Sequence, residues 1–180
     1  MEVDFVLKRE DYLTNILFAA SESNGLKKRK WSARIMLGVV FAFFAYQGYS
    51  ENKISLLISF VIIGLFSVVY FSRLQSYFFK RNYLKVIDKQ LNEKLEVKTY
   101  VDLSVDKILI KDEFAKAEID WSKIKKGVDI GNYIILIIGD FQSVIFPSNM
   151  SEFAEFKIEI RDILKSKDIF WEEKKNWKWK

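Results

Sequence analysis

Two stretches of the chain contain almost no polar side chains. Residues 54–72 read ISLLISFVIIGLFSVVYFS and include no charged residue. At a rise of about 1.5 Å per residue, a helix of this length nearly crosses a hydrocarbon layer about 30 Å thick. Residues 35–49 read IMLGVVFAFFAYQGY, and residues 31–34 can extend this run. The pattern predicts a transmembrane helical hairpin over 31–72, with spans at 31–49 and 54–72. A buried hairpin in a soluble core is the disfavoured alternative, because a small domain's core helix carries polar residues.

Charged residues flank the predicted hairpin unevenly. The loop between the spans carries Lys53 beside Glu51. Bases cluster at the ends of the spans away from this loop, at Lys27, Lys28, Arg29, Lys30, Arg34, Arg73, Lys80, Arg81 and Lys85. Because basic flanks stay on the cytoplasmic side, we expect a two-span plasma-membrane protein with both termini in the cytoplasm. The predicted membrane-interface residues are Trp31, Arg34, Tyr46, Tyr49, Arg73, Lys80 and Arg81.

Small residues recur at helical spacing in both spans. Gly38 with Ala42, and Ser55 with Ser59, form such pairs. They allow close helix packing, either within the hairpin or between two copies in a homo-oligomer.

After the spans, the apolar period indicates a helix and then strands. Residues 73–96 predict a juxtamembrane helix, whose apolar stripe packs on the following domain or, less favoured, lies on anionic lipid. From Val97 apolar residues alternate with polar ones, and Gly131-Asn132 is a hairpin signal. Pro147 ends the strands, Asn149 and Glu152 resemble a capping box, and a helical stripe follows. The fold class predicted is an α+β membrane protein whose antiparallel sheet domain, residues 97–168, is closed by a C-terminal helix.

The N-terminal residues 1–30 predict a strand followed by a helix. Val3, Phe5 and Leu7 alternate with other residues, and an apolar stripe begins at Leu13. Because both termini are expected on one side of the membrane, we hypothesise that this strand joins the C-terminal sheet.

The amino-acid composition limits the kinds of functional site that the chain can form. The chain has 180 residues and is 50% apolar and 16% aromatic, with neither cysteine nor histidine. These absences exclude disulfides, thiol nucleophiles, imidazole bases and zinc sites built on those residues. We expect no metal and no cofactor.

The carboxylates around the predicted hairpins are expected to face solvent rather than to form a cation or acid–base site; they are Asp102, Asp106, Asp112, Glu113, Glu118 and Asp120. The net charge of +5 lies largely at the membrane flanks, so we expect no nucleic-acid partner.

The C-terminal segment 169–180 is rich in tryptophan and lysine. Indole rings favour the headgroup zone, and lysines favour anionic lipid. The candidate residues for contact with lipid or a partner are Trp171, Lys174, Lys175, Trp177, Lys178 and Trp179. A frayed tail, or one packed on the juxtamembrane helix, is an equal alternative.

The order of these parts resembles the YcxB-like family of bacterial membrane proteins. The residues that carry the resemblance are the opening VDFVLKREDYL, the double span, FFKRNYLK, and AEIDWSKIKKGVDIGNYIILIIGDFQSVIFP with its following helix. Within the last segment they are Trp121, Ile124, Tyr133 and Pro147. The resemblance implies a C-terminal domain similar to the pleckstrin-homology (PH) fold. One departure is Pro147-Ser148-Asn149-Met150, where the family has a basic residue after the proline, so a basic contact there is in doubt.

These observations favour a membrane-anchored interaction module without catalysis of its own. Its PH-like domain would bind a protein or lipid partner at the inner face of the membrane, and an accessory or immunity-type protein belongs to this class. The alternative is a membrane-associated enzyme using carboxylates, tyrosine or lysine. A transport subunit is disfavoured because the spans lack acidic and basic residues between Ile35 and Gly48 and between Ile54 and Ser72.

Overall fold

The computed structural model describes residues 1–90, 95–139 and 142–179 and has a mixed α+β fold. These residues form two compact units, one of residues 1–20 and 82–179 (the sheet unit) and one of residues 21–81 (the hairpin unit). The helices are α1 Arg9–Glu22, α2 Asn24–Ser50, α3 Ile54–Gln90 and α4 Phe153–Ser166. The strands are β1 Glu2–Val6, β2 Lys98–Leu103, β3 Lys107–Lys111, β4 Lys116–Asp120, β5 Lys126–Asp129, β6 Tyr133–Gly139, β7 Gln142–Pro147 and β8 Phe170–Glu173.

The first sheet has the antiparallel order β1-β2-β3-β4. The N-terminal strand pairs with β2, with Val3 opposite Val101 and Phe5 opposite Thr99. Alternation along β1 turns Val3 and Phe5 into the core, where each is 5% exposed. The hypothesis that the N-terminal strand joins the C-terminal sheet is therefore confirmed.

The second sheet has the order β7-β6-β5-β8, and its middle strand β6 is buried on both faces. Ile134, Ile135 and Leu136 are fully buried, which explains why this strand reads as a continuous apolar run rather than an alternating one. On one face Phe146 contacts Phe5 of β1 edge-on and Phe156 of α4. On the other face Phe18 of α1 packs into a cluster that includes Ile135.

The expectation of one antiparallel sheet is wrong in two respects. After β4, the Asp120 side chain accepts from the Ser122 N–H (2.8 Å) and caps a short 3₁₀ turn at Trp121–Lys123, which ends the first sheet. The C-terminal segment then adds β8 to the second sheet, parallel to β5. A parallel pair between distant segments leaves no local turn signal in the sequence.

Other local predictions also differ from the structure. The residue before α4 is Glu152, which lies in the left-handed region (φ 57°) and makes no side-chain cap, so the predicted capping box is not formed. The predicted juxtamembrane helix 73–96 is part of α3 as far as Gln90, and its residues 91–94 lie outside the described residues. Residues 95–96 form a turn. Gly139-Asp140 is a second hairpin signal of the sequence, and its Asp140 lies outside the described residues.

In the hairpin unit α2 and α3 pack closely through glycine. A Cβ on Gly48 would lie 2.8 Å from the backbone nitrogen of Leu57, and one on Gly64 would lie 2.9 Å from Cβ of Phe41. The rings of Phe44 and Phe60 stack with centroids 5.3 Å apart. Such contacts bring two helix backbones together, as small residues do in membrane helix pairs.

Among the described residues, α3 is the one helix that is long and apolar enough to cross a membrane, over Ile54–Lys89. Only 6% of its most apolar 18-residue window is buried. The second helix, α2, does not reach the same length and hydropathy criterion, so the two-span hairpin stays a prediction.

Polar contacts attach α1 to the second sheet. The Tyr133 hydroxyl of β6 donates to Asp11 (2.8 Å), whose other carboxylate oxygen accepts from the Lys8 N–H (2.7 Å). Asn15 donates to the backbone oxygen of Ser143 (3.2 Å) and accepts from its hydroxyl (2.7 Å). Burial raises the pKa of Tyr133 to about 12, and the hydrogen bond to Asp11 adds to this shift.

The raised pKa of Tyr133 predicts that the sheet unit loses stability at alkaline pH. Because the pKa of Tyr133 rises from 10.0 to about 12 on folding, its contribution is full below about pH 10 and is lost as the pH rises through about 12. The free energy of unfolding should fall more steeply over this range in wild type than in Tyr133→Phe. Denaturant unfolding at stepped pH measures this. Tyr100→Phe, at an exposed position, is the control and should follow wild type; equal slopes for wild type and Tyr133→Phe would contradict the prediction.

Candidate functional surfaces

The predicted membrane-interface aromatics lie near the two ends of α2. Trp31 is 65% exposed, and Tyr46 and Tyr49 are 67% and 69% exposed. The helical rise separates Trp31 from Tyr49 by about 27 Å, close to the thickness of a hydrocarbon core. The aromatic residues are therefore spaced as interfacial residues of a membrane helix are.

The predicted basic residues meet at one end of the hairpin unit. Lys30 of α2 lies with its Nζ 5.6 Å from the ring centroid of Phe79 of α3. This contact places the start of α2 beside the segment that carries Lys80 and Arg81, both exposed. Arg34 is half-buried one helical turn further along α2, and its Nε has no hydrogen-bond partner.

The opposite end of the hairpin unit has balanced charge. Lys53 donates to Glu51 in the connecting loop (2.7 Å). Glu51 and Lys53 are the charged residues of this loop, so the two helices differ sharply in charge between their two ends.

Carboxylates of the first sheet serve in ion pairs and turns. Glu118 accepts from Lys107 (2.6 Å) and pairs with Lys116 (3.0 Å), and these two bases lower the pKa of Glu118 to about 2. Asp112 accepts from the Phe114 N–H (2.7 Å) and stabilises the β3–β4 turn. In the described part of the chain, no three acidic residues are grouped so that they could hold a metal ion.

The three tryptophans of the C-terminal segment pack on the sheet unit. Trp171 lies in β8 against Gly127, where a Cβ would come within 2.8 Å of the indole ring. Trp177 meets Phe18 edge-on (5.2 Å between centroids), and Trp179 packs on the cluster of Leu13, Leu17 and Ile87. The described tail is therefore not frayed, and its packing on Ile87 of α3 corresponds to one of the sequence alternatives.

The lysines of this segment lie at its surface. Lys174 pairs with Glu172 (3.1 Å), Lys175 pairs with Glu173 (3.1 Å), and Lys178 is exposed. Contact between this segment and lipid stays a prediction.

A groove beside α4 is a surface that sequence reasoning missed. It has a volume of about 520 Å³, and its apolar residues include Val105 of the β2–β3 turn and Ile158 of α4, which are 75% and 62% exposed. Its acidic residues are Glu155, Glu159 and Asp162. The sequence signal was Ile158, an isoleucine outside the apolar stripe that α4 buries at Phe156, Ile160 and Leu164.

An ion pair that involves a buried carboxylate was also not foreseen. Asp129 at the end of β5 is fully buried, accepts from the Gly131 N–H (2.7 Å) and pairs with Lys157 of α4. The pair joins α4 to the β5–β6 turn, which assigns Asp129 a structural role.

No protein-family model, curated protein or solved structure matches the chain. The resemblance to the YcxB-like family therefore stays a prediction, carried by the residues quoted for it.

The packing of the tail predicts that Trp177 stabilises the sheet unit. Trp177→Ala should lower the free energy of unfolding by about 2 kcal/mol, less than for a fully buried tryptophan, because the indole is half-buried against Phe18. Lys178→Ala, at an exposed neighbouring position, should change it by less than about 0.5 kcal/mol. Denaturant unfolding followed by circular dichroism measures both. Unchanged stability in Trp177→Ala would mean that the tail does not contribute to the fold.

Proposed function

We propose that the chain is a membrane-anchored interaction module of a bacterial plasma membrane. In this proposal the hairpin unit spans the bilayer twice, and the sheet unit binds a partner on the cytoplasmic side without catalysis of its own. The observation that carries the proposal is the exposed apolar surface of α3, of which almost none is buried in its most apolar window. Apolar surface of this extent is stable against lipid but costly against water.

The second span is supported by α2 and its contacts. Its apolar side chains between the aromatic ends are exposed, including Met36, Val39 and Phe43. It packs against α3 through Gly48 and Gly64, so a bilayer that accepts α3 also surrounds α2. The imbalance of charge between the two ends supports cytoplasmic termini.

The groove beside α4 supports a protein partner for the sheet unit. Its exposed isoleucine and valine offer apolar contacts. Of its three carboxylates, Glu159 pairs with the N-terminal amino group of Met1 (3.4 Å), and Glu155 and Asp162 favour a partner segment that carries basic residues. The alternative of an enzyme has no comparable observation in its favour, since Glu118 and Asp112 are engaged in ion pairs and turns at the surface. A PH-like domain, lipid binding by the tail and pairing between copies through the spans also remain proposals.

The two-span arrangement predicts the location of three segments. Reporters fused after Lys180 and before Met1 should be active in the cytoplasm, and one inserted within residues 50–53 should be active outside, because the bases flank the spans on the inner side. Paired cytoplasmic and periplasmic reporters in a bacterial host measure this. Opposite locations for the two termini would overturn the two-span proposal, and a cytoplasmic loop would overturn the hairpin insertion.

If the partner binds in the groove, a charged substitution at Ile158 should weaken that binding. With a proximity-labelling enzyme fused at the C-terminus in the native host, Ile158→Asp should lower labelling of the partner at least about fivefold, because it places a charge in an apolar contact. Phe114→Asp changes a side chain that is 51% exposed in the β3–β4 turn and is the matched control. Labelling should be retained in this control. The same labelled proteins at the same levels in Ile158→Asp would overturn the groove as the partner surface.

A further inference from the structure

The hairpin unit carries its positive charge at one end only. Segment 21–34 contains five bases and segment 70–81 contains three, against the single acid Glu22. Six of these bases are exposed, and we name them the basic collar: Lys27, Lys28, Arg29, Arg73, Lys80 and Arg81. The collar is drawn from both helices.

Helix packing assembles the collar. The contacts of Gly48 with Leu57 and of Gly64 with Phe41 hold α2 and α3 antiparallel, so the start of α2 lies beside residues late in the hairpin unit's part of α3. The approach of Lys30 to Phe79 shows this juxtaposition directly. The two basic segments therefore share one end of the hairpin unit, although their nearest bases, Arg34 and Arg73, lie 39 positions apart in the chain.

The collar's charges are not neutralised by ion pairs with the described residues. None of its six side chains forms an ion pair with a residue that the structure describes, whereas Glu51 and Lys53 pair at the opposite end. Like charges brought together repel one another, and a counter-charge from outside the chain relieves this cost. Arg34, one turn further along α2 than Lys30, adds a buried Nε donor that has no partner.

Aromatic residues at the same end identify the environment of the collar. Trp31 follows Lys30 directly, and Tyr77 lies between Arg73 and Lys80; the two rings are 65% and 60% exposed. Exposed tryptophan and tyrosine beside a long apolar surface favour the headgroup zone of a bilayer. The anionic groups available at that depth are lipid phosphates.

We propose that the basic collar binds the headgroups of anionic phospholipids in the leaflet where the hairpin's two ends emerge. The basic residues then do more than orient the chain, since they give it a preference for acidic lipid around it. The inference rests on the proposed function, because the collar meets lipid phosphates only when the hairpin is inserted.

The test uses the purified full chain in phosphatidylcholine vesicles that contain a trace of spin-labelled lipid. Electron paramagnetic resonance measures how strongly spin-labelled phosphatidylglycerol associates with the protein relative to spin-labelled phosphatidylcholine. Wild type should prefer phosphatidylglycerol at least about fivefold at low salt, with the preference reduced at high salt. This arm needs no substitution, so it does not depend on the folding of any variant.

Two triple variants test whether the collar's bases cause the preference for phosphatidylglycerol. Lys27→Gln with Lys28→Gln and Arg29→Gln changes the α2 side, and Arg73→Gln with Lys80→Gln and Arg81→Gln changes the α3 side. Each should lower the preference at least about twofold, since each removes three of the collar's six bases and so about half of its attraction for anionic lipid. The matched control removes the same charge from exposed sites of the sheet unit: Lys111→Gln, Lys123→Gln and Lys165→Gln. It should keep the wild-type preference, and an equal loss there would overturn the collar as the site.

Insertion is measured in parallel by resistance to alkaline carbonate extraction from pure phosphatidylcholine vesicles. Wild type that inserts but shows no preference for phosphatidylglycerol overturns the collar inference and leaves the membrane anchor standing. Wild type that is extracted overturns the anchor and the collar together.

Discussion

The sheet unit depends on the burial of one strand, β6, on both of its faces. Ile134 and Leu136 point into the core shared with the first sheet and α4, while Ile135 points toward α1. A strand in this position requires a covering layer on each side, because apolar side chains left exposed would cost about 25 cal/mol for each Å² of their surface. The N-terminal strand and helix contribute to these layers, and so does the C-terminal segment. Residues from both ends of the chain are thus needed to complete one core.

The hairpin unit is governed by a different requirement, since its surface is apolar where that of the sheet unit is polar. Close helix contacts at Gly48 and Gly64 leave the larger aliphatic and aromatic side chains pointing outward. Charge is confined to the ends, concentrated at one and balanced at the other. This division of surfaces explains why half of the chain is apolar although the sheet unit has an ordinary core.

The candidate surfaces were predictable to different degrees. The basic and aromatic residues of the hairpin followed from composition, because adjacent residues beside an apolar run carry that signal by themselves. The groove beside α4 was not predictable, since Val105 and Ile158 come together only when the β2–β3 turn lies against the helix. For the tryptophans of the tail the sequence left lipid contact and packing as equal alternatives, because indole favours both an interface and a core. The packing of Trp177 on Phe18 and of Trp171 on Gly127 is visible only in the tertiary structure.

The sequence by itself determined the local structure: the apolar runs, the change of period after residue 96, the hairpin turn at Gly131 and the stripe of α4. These depend on neighbouring residues within a few positions, which is the range over which periodicity and turn chemistry act. Tertiary structure decided what is paired over long distances, namely β1 with β2, β8 with β5, and Asp129 with Lys157. It also decided that the 3₁₀ turn at Trp121 divides the strands into two sheets. Such pairings reflect the need to cover β6 on both faces, and no local pattern of residues encodes which distant segment provides the cover.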